Sequence, residues 1–204
     1  AEEVVLQNLL VQNSGGYPGN AGVLLRSSHA LLLNCTFYRT RTGILAQNTS
    51  FHLFENCTFS NNGIGISLSS TSNILVKDCT FGQNSIGVHG DRTEEVLLLS
   101  CYFHTNGRAG FFSHSHHLSV SRCNISDNSV NHGGMYLDGC STVLIDNTIF
   151  RHNGIALQAT RSNAVEVCHC DFINNTHFDV VIDFACAQMN ITSCDIHRGF
   201  RYGG

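Results

Sequence analysis

The sequence predicts an all-β fold: a parallel β-helix solenoid of about nine coils, built as a single domain over residues 1–204. The main observation is a cysteine that recurs at intervals of 22 residues, at Cys35, Cys57, Cys79, Cys101 and Cys123. The second observation is that each cysteine lies in a short apolar segment, with no helical period between the segments. A coil that returns to the same place every ~22 residues and rises by one strand spacing of ~4.8 Å explains both.

The first strand of each coil ends in an aromatic or aliphatic residue. Typical segments are Leu-Asn-Cys-Thr-Phe at 33–37, Glu-Asn-Cys-Thr-Phe at 55–59 and Lys-Asp-Cys-Thr-Phe at 77–81. Because side chains alternate along a strand, the cysteine and the phenylalanine share the inward face. The asparagine before the cysteine is therefore expected to face solvent.

A turn with an asparagine follows, three residues beyond the aromatic position. The asparagines that recur at this place are Asn62, Asn84, Asn106, Asn128, Asn153 and Asn175. Each side-chain amide can hydrogen-bond the turns above and below, so we expect a structural ladder. A glycine often comes next at the turn, as at Gly43, Gly65 and Gly87, and a second alternating strand follows it. Residues 14–22, which contain the single proline, interrupt the repeat and are expected to form an inserted loop.

The stacked cysteines allow three interpretations: metal ligands, disulfides or packing. Zinc sites use ligands two to four residues apart, whereas this repeat supplies one thiol per coil. Neighbouring thiols lie on parallel Cα–Cβ vectors, which is poor disulfide geometry. We therefore expect buried free thiols that act as small apolar side chains. Cys168, His169 and Cys170 form the compact cluster, but strand alternation would turn His169 away from its neighbours, so we predict no metal site.

The composition limits the function. The 204 residues are 42% hydrophobic and 13% charged, which suffices for one sizeable core. With 11 Lys and Arg against 15 Asp and Glu, the net charge is −4, whereas nucleic-acid binding requires an excess of cations. No apolar run approaches the ~20 residues of a membrane-spanning helix. We expect no nucleic-acid partner, no membrane span and no cofactor.

The repeat resembles that of the pectin-lyase-like, right-handed β-helix superfamily. The pattern Φ-x-x-N/C-x-F-x-x-N-x-x-G-Φ-x-Φ extends over roughly residues 4–198. This resemblance implies a right-handed solenoid. The superfamily includes pectate lyases, polygalacturonases, alginate epimerases, phage tailspikes, adhesins and non-catalytic surface proteins, so the fold alone does not decide the activity. Of the polygalacturonase motifs, only an isolated Val-His-Gly at 88–90 has a counterpart here.

One outward stripe of the second strand is a candidate site. Aligned coil by coil, it is expected to carry His89, Phe112 and Tyr136 beside Asp91, His114 and Asp138. An aromatic ring beside hydrogen-bonding groups suits a sugar. Two coils separate the two aspartates by ~9.6 Å, so their carboxyl groups could match an inverting glycosidase, with His114 between them. Arg92 could hold an acidic sugar. The alternative is a merely solvated strand surface.

Six N-glycosylation sequons occur, at Asn34, Asn48, Asn56, Asn124, Asn174 and Asn190. They favour a secreted or cell-surface protein. The start of the chain does not resemble a signal peptide, so we expect a mature protein or a piece of a longer chain. The coil ends expose unpaired strand edges, and stacking through them would produce a filament.

These observations favour an extracellular β-helix with a structural or adhesive role, in contact with carbohydrate or with other copies of itself. The alternative is a polysaccharide-active enzyme, a glycoside hydrolase, lyase or epimerase, that uses Asp91, His114 and Asp138. A third interpretation, an intracellular scaffold, would fit free thiols and unmodified sequons.

Overall fold

The computed structural model describes residues 4–13, 21–26, 29–129 and 131–203. Over these ranges the chain winds into a solenoid of three parallel sheets, each with nine strands. Every strand pairs with the equivalent strand one coil away, so the prediction of an all-β parallel β-helix is confirmed. The predicted inserted loop at 14–22 falls mainly on residues 14–20, which lie outside the described ranges.

Numbered in chain order, the strands divide among the sheets as every third strand. The first sheet contains β1 (Val4–Gln7), β4 (Ala30–Leu33), β7 (Ser50–Glu55), β10 (Ser72–Lys77), β13 (Glu94–Leu99), β16 (His116–Ser121), β19 (Ser141–Asp146), β22 (Asn163–Cys168) and β25 (Ala187–Thr192). The second contains β2 (Leu10–Gln12), β5 (Thr36–Tyr38), β8 (Thr58–Ser60), β11 (Thr80–Gly82), β14 (Tyr102–His104), β17 (Asn124–Ser126), β20 (Ile149–Arg151), β23 (Asp171–Ile173) and β26 (Asp195–Ile196). The third contains β3 (Val23–Leu25), β6 (Thr42–Gln47), β9 (Ile64–Ser69), β12 (Ile86–Asp91), β15 (Arg108–Ser113), β18 (Met135–Asp138), β21 (Ile155–Thr160), β24 (Phe178–Ile182) and β27 (Phe200–Tyr202).

Single residues with a left-handed backbone turn the chain from one sheet to the next. The corner after the first sheet uses Asn8, Asn34, Asn56, Asp78, Ser100, Arg122, Asn147, His169 and Ser193. The corner after the third sheet uses Asn48, Ser70, Arg92, His114, Gly139 and Arg161. Asn, Asp and Gly tolerate a positive φ better than most residues, which explains part of this composition. A corner residue interrupts strand alternation, so its side chain does not follow the inward–outward pattern of its neighbours.

The interior asparagines form a continuous hydrogen-bonded ladder. In each coil the Asn side chain accepts from the backbone of the preceding coil, as when the Asn84 N–H donates to Asn106 Oδ1 at 3.0 Å. The Asn106 amide nitrogen donates in turn to the carbonyl of Phe81 at 2.9 Å. At one end Thr40 donates to Asn62. At the other end Asn175 donates to the buried carboxylate of Asp179 at 2.8 Å.

Phenylalanines and cysteines form parallel interior columns. The rings of Phe37, Phe59, Phe81 and Phe103 stack nearly parallel, with centroids 4.6 to 4.9 Å apart. All ten cysteines are free, and those with the 22-residue spacing are buried. Burial raises the pKa of Cys170, which continues this column, to about 12. The Cys170 thiol therefore remains protonated and packs as an apolar group.

The glycines expected at turns occupy a different place. Gly43, Gly65 and Gly87 lie inside β6, β9 and β12. A Cβ atom at Gly65 would lie 2.9 Å from the Phe81 ring and 2.5 Å from the Gly87 carbonyl oxygen. These glycines therefore make room for the phenylalanine column, and the expectation of turn glycines was wrong.

Candidate functional site

The candidate site lies on the outer face of the third sheet, where β12, β15 and β18 run side by side. Their register places His89 opposite Phe111 and Phe111 opposite Tyr136. Two residues further along, Asp91, Ser113 and Asp138 form a second outward row. We call the side chains of these two rows, with Arg108, the sheet-3 face.

The expected outward position of Phe112 was wrong. Phe112 is fully buried and pairs with Gly90 in the register, while Phe111 is its outward neighbour. The buried ring needs the space that Gly90 leaves, since a Cβ there would lie 2.5 Å from Phe112 Cδ1. The repeat itself carried the missing signal, because the 22-residue spacing that fits the asparagines places Phe111, not Phe112, beside His89.

The aromatic row forms a continuous surface capped by a guanidinium group. The Phe111 and Tyr136 rings stack with centroids 5.3 Å apart, and the His89 ring lies 5.2 Å from Phe111 at a tilt of 39°. Arg108 Cζ lies 4.9 Å from the Tyr136 ring centroid and 5.3 Å from that of Phe111. Burial lowers the pKa of His89, which favours its neutral form. The row therefore combines apolar ring faces with one cation.

Asp91, at the end of β12, is surrounded by donors. Ser113 Oγ donates to Asp91 Oδ1 at 2.9 Å, and Arg92 pairs with Oδ2 at 2.9 Å. His114 Nδ1 lies 3.7 Å from Oδ1. Partial burial disfavours the charged form, but the hydrogen bonds from Ser113 and Arg92 outweigh it and lower the pKa of Asp91.

Asp138, at the end of β18, is held still more firmly. Arg161 Nε donates to Asp138 Oδ1 at 2.9 Å, and its Nη2 reaches Oδ2 at 2.5 Å. Thr160 Oγ1 also donates to Oδ1, at 3.0 Å. The hydrogen bonds from Arg161 are the main cause of the lowered pKa of Asp138. The repeat pattern does not single out Arg161, because this residue belongs to the next coil and its side chain reaches Asp138 across the corner.

His114 was predicted to lie in the outward strand row with Asp91 and Asp138, but it is the corner residue after β15. Its φ of 49° ends β15, and its ring lies over Gly139, where an added Cβ would come within 3.3 Å of the imidazole. From there it contributes favourable charge interactions to both Asp91 and Asp138. The predicted grouping of these three residues is present, although Ser113 fills the strand position between the two aspartates.

The sequons differ in their accessibility. Asn34, Asn48, Asn56 and Asn174 are exposed corner residues, and Asn190 is exposed on β25. Asn124 is partly buried, and its Oδ1 lies inside without a hydrogen-bond partner among the described residues. Asn56 Nδ2 donates to Asn34 Oδ1 at 2.7 Å, one coil away. Two glycans on asparagines so close together would clash, so we expect a glycan on at most one of Asn34 and Asn56.

The comparisons with known proteins identify the family. The family profile described as "Right handed beta helix region" matches residues 21–156 and 111–203. The chain belongs to the right-handed β-helix family. Among curated proteins, no sequence matches it significantly. No helix within the described ranges is long and apolar enough to cross a bilayer.

Solved structures share the fold at low sequence identity. An alginate lyase from Paenibacillus sp. str. FPU-7 superposes with a TM-score of 0.60 at 10% identity, over 96% of this chain and 78% of the lyase. The A-module of the mannuronan C-5 epimerase of Azotobacter vinelandii superposes with a TM-score of 0.58 at 11% identity, over 94% of this chain and 66% of the module. The ORF18 protein of Geobacillus virus E2 superposes with a TM-score of 0.58 at 13% identity, over 90% of this chain and 54% of the viral protein. The chain thus spans about two thirds of the epimerase module and about half of the viral protein.

Proposed function

We propose that this protein is an extracellular, adhesive β-helix that binds an acidic polysaccharide along the sheet-3 face. The observation that carries the proposal is the Phe111–Tyr136 row with the Arg108 guanidinium over both rings. Sugar rings pack their apolar faces on aromatic side chains and use neighbouring polar groups for their hydroxyls. Ser113 and Thr160 supply hydroxyls next to the row.

The charge of Arg108 supports an acidic ligand. Arg92 and Arg161 pair with Asp91 and Asp138, so their charges are largely compensated. Within the described residues, Arg108 has no carboxylate partner, and its Nε is buried without an acceptor. A sugar carboxylate on the aromatic row would supply a charge partner for the Arg108 guanidinium group.

Affinity measurements with polygalacturonate, alginate and a neutral glucan test the proposal. We expect Tyr136→Ala to weaken uronate binding by roughly 10-fold or more, because removal of an aromatic side chain at the centre of a contact surface costs about 2 kcal/mol or more. Arg108→Gln should weaken binding to the two polyuronates. Tyr102→Ala is the matched control, because Tyr102 is an exposed tyrosine that stacks with His104 on the second sheet. Equal uronate binding by all three variants and the wild type would contradict the proposal.

A polysaccharide-active enzyme is the second candidate, favoured by the position of His114 beside Asp91 and Asp138. The lowered pKa of both aspartates opposes the general-acid role, which requires a carboxyl group with a raised pKa. Turnover of the same glycans, followed by reducing ends and unsaturated products, decides this question. Activity that Asp138→Asn abolishes would establish the enzyme.

The extracellular location and the end-to-end stacking belong to the proposal as well. Exposed corner sequons support the location, and the intact mass of protein from its native source tests it through glycan additions. Association through strand edges would make the sedimentation coefficient rise with concentration, and a constant monomeric value would exclude it.

A further inference from the structure

A cluster of three different metal-binding side chains lies at the corner after the first sheet, away from the sheet-3 face. Asp146 is the last residue of β19, and the register pairs it directly with Cys168, the last residue of β22. His169 follows as the corner residue, with a φ of 52°. The left-handed turn brings its ring back to Asp146 of the neighbouring coil, where simple strand alternation had pointed it away.

The ligand atoms already converge. Asp146 Oδ1 lies 3.4 Å from Cys168 Sγ and 3.1 Å from His169 Nδ1, and all three atoms lie within 4.8 Å of one another. Tetrahedral zinc with bonds of about 2.0–2.3 Å places its ligand atoms roughly 3.3–3.8 Å apart. Asn147 Nδ2 donates to Asp146 Oδ2, which leaves Oδ1 directed at the other two groups.

Cys168 differs from the other cysteines in its position. The nine others belong to two interior columns of cysteines. One column contains the cysteines with the 22-residue spacing, and the other contains Cys140 and Cys186 with Ser162 between them. Cys168 instead occupies an outward strand position that holds Glu55, Lys77 or Thr192 in other coils. It is 9% exposed, while the His169 side chain is 60% exposed. An ion could therefore enter from solvent on the histidine side.

We propose that Asp146, Cys168 and His169 bind one Zn²⁺ ion, with the fourth coordination position open to solvent. One carboxylate, one thiolate and one imidazole suit zinc, a borderline metal that accepts oxygen, sulfur and nitrogen ligands. The thiolate and carboxylate together neutralise the two positive charges of the ion. On binding, the bond between Sγ and its hydrogen breaks, the proton leaves to solvent, and a bond between Sγ and zinc forms.

The electrostatic surroundings fit a cation. Burial, the hydrogen bond to Asp146 and the nearby negative groups raise the pKa of Cys168 to about 11. The carboxylates of Asp146 and Glu166 place negative charge beside Cys168, and this charge attracts a divalent ion.

Titration of the chelator-treated, full-length protein with Co²⁺ and then Zn²⁺ tests this site. We expect one Co²⁺ per chain with a thiolate-to-metal charge-transfer band, displacement of that band by Zn²⁺, and release of about one proton per ion. Cys168→Ser should abolish the band, and His169→Gln should weaken binding by about 10-fold or more.

Two control variants separate this site from other thiols and histidines. His152→Gln removes the histidine of a corner pair that has no cysteine, where His152 Nδ1 lies 3.2 Å from Asp127 Oδ1. Cys194→Ser removes a partly exposed thiol of the interior column. Both should bind Co²⁺ as the wild type does. The absence of a thiolate band in the wild type, or a band that survives Cys168→Ser, would overturn the proposal.

Discussion

The interior columns and the sheet-3 face run along the same coils but follow opposite rules. Inside, the same residue type returns in coil after coil, as with the asparagines from Asn62 to Asn175. Outside, adjacent coils carry His89, Phe111 and Tyr136 in one row. Interior groups must satisfy one another because water is excluded, whereas water satisfies outward groups of any polar kind. An outward row of aromatic rings is therefore a departure that favours a binding role.

The largest effect should come from two neighbouring phenylalanines that face opposite ways. Phe112→Ala removes a fully buried ring above Gly90, and we expect a loss of about 3–5 kcal/mol in the free energy of unfolding. Phe111→Ala removes a partly exposed ring and should cost about 1 kcal/mol. Urea unfolding of both variants measures the difference. Equal losses would refute the register that places Phe112 inside.

A break in the asparagine ladder should rank next. Asn106→Ala leaves the Asn84 N–H and the Phe81 carbonyl without their buried partner, and we expect a loss of about 2–4 kcal/mol. Asn61→Gly is the control, because Asn61 is an exposed corner residue whose amide contacts only the exposed Gln83 side chain. Its loss should stay below about 1 kcal/mol, because glycine accepts the left-handed φ and the lost contact is exposed. If both variants unfold at the same urea concentration, the ladder does not stabilise the interior.

His52 is an irregularity inside an otherwise aliphatic column and should make stability depend on pH. Burial is the main cause that lowers its pKa to about 4, and its Nδ1 accepts from the Ala30 N–H at 3.1 Å. Between pH 6.5 and pH 4 the unfolded chain binds the proton more readily, so the free energy of unfolding falls as the pH falls. We expect this residue to contribute a loss of about 2–3 kcal/mol by pH 4.5.

The measurement is the urea midpoint from pH 7.5 to pH 4.5 for the wild type and for His52→Val. Valine matches the aliphatic side chains at the equivalent interior position, such as Val96. The variant should lose a distinctly smaller part of its stability over this range. Parallel curves would show that His52 does not titrate differently in the folded and unfolded protein.

Much of the candidate site could be anticipated from the sequence, but its contacts could not. His89, Asp91, Tyr136 and Asp138 do lie on the sheet-3 face, since buried and outward residues alternate over the last four residues of β12 and throughout β18. Arg108 was missed because it begins β15, where the repeat gives no sign that its side chain will lie over two rings. Arg161 was missed because its partner Asp138 lies 23 positions away in the chain.

The solenoid follows from the amino-acid sequence, because a coil can repeat only if the groups that fill its interior repeat with it. The 22-residue period, the buried cysteines and the asparagine ladder all follow from that requirement. The contacts between side chains at the corners, by contrast, depend on the folded arrangement of neighbouring coils. The side chain of a left-handed corner residue does not point in the direction that strand alternation predicts. The stacking of the coils then places this side chain beside residues of the neighbouring coil. His114 near Asp91, and His169 against Asp146, are results of that geometry.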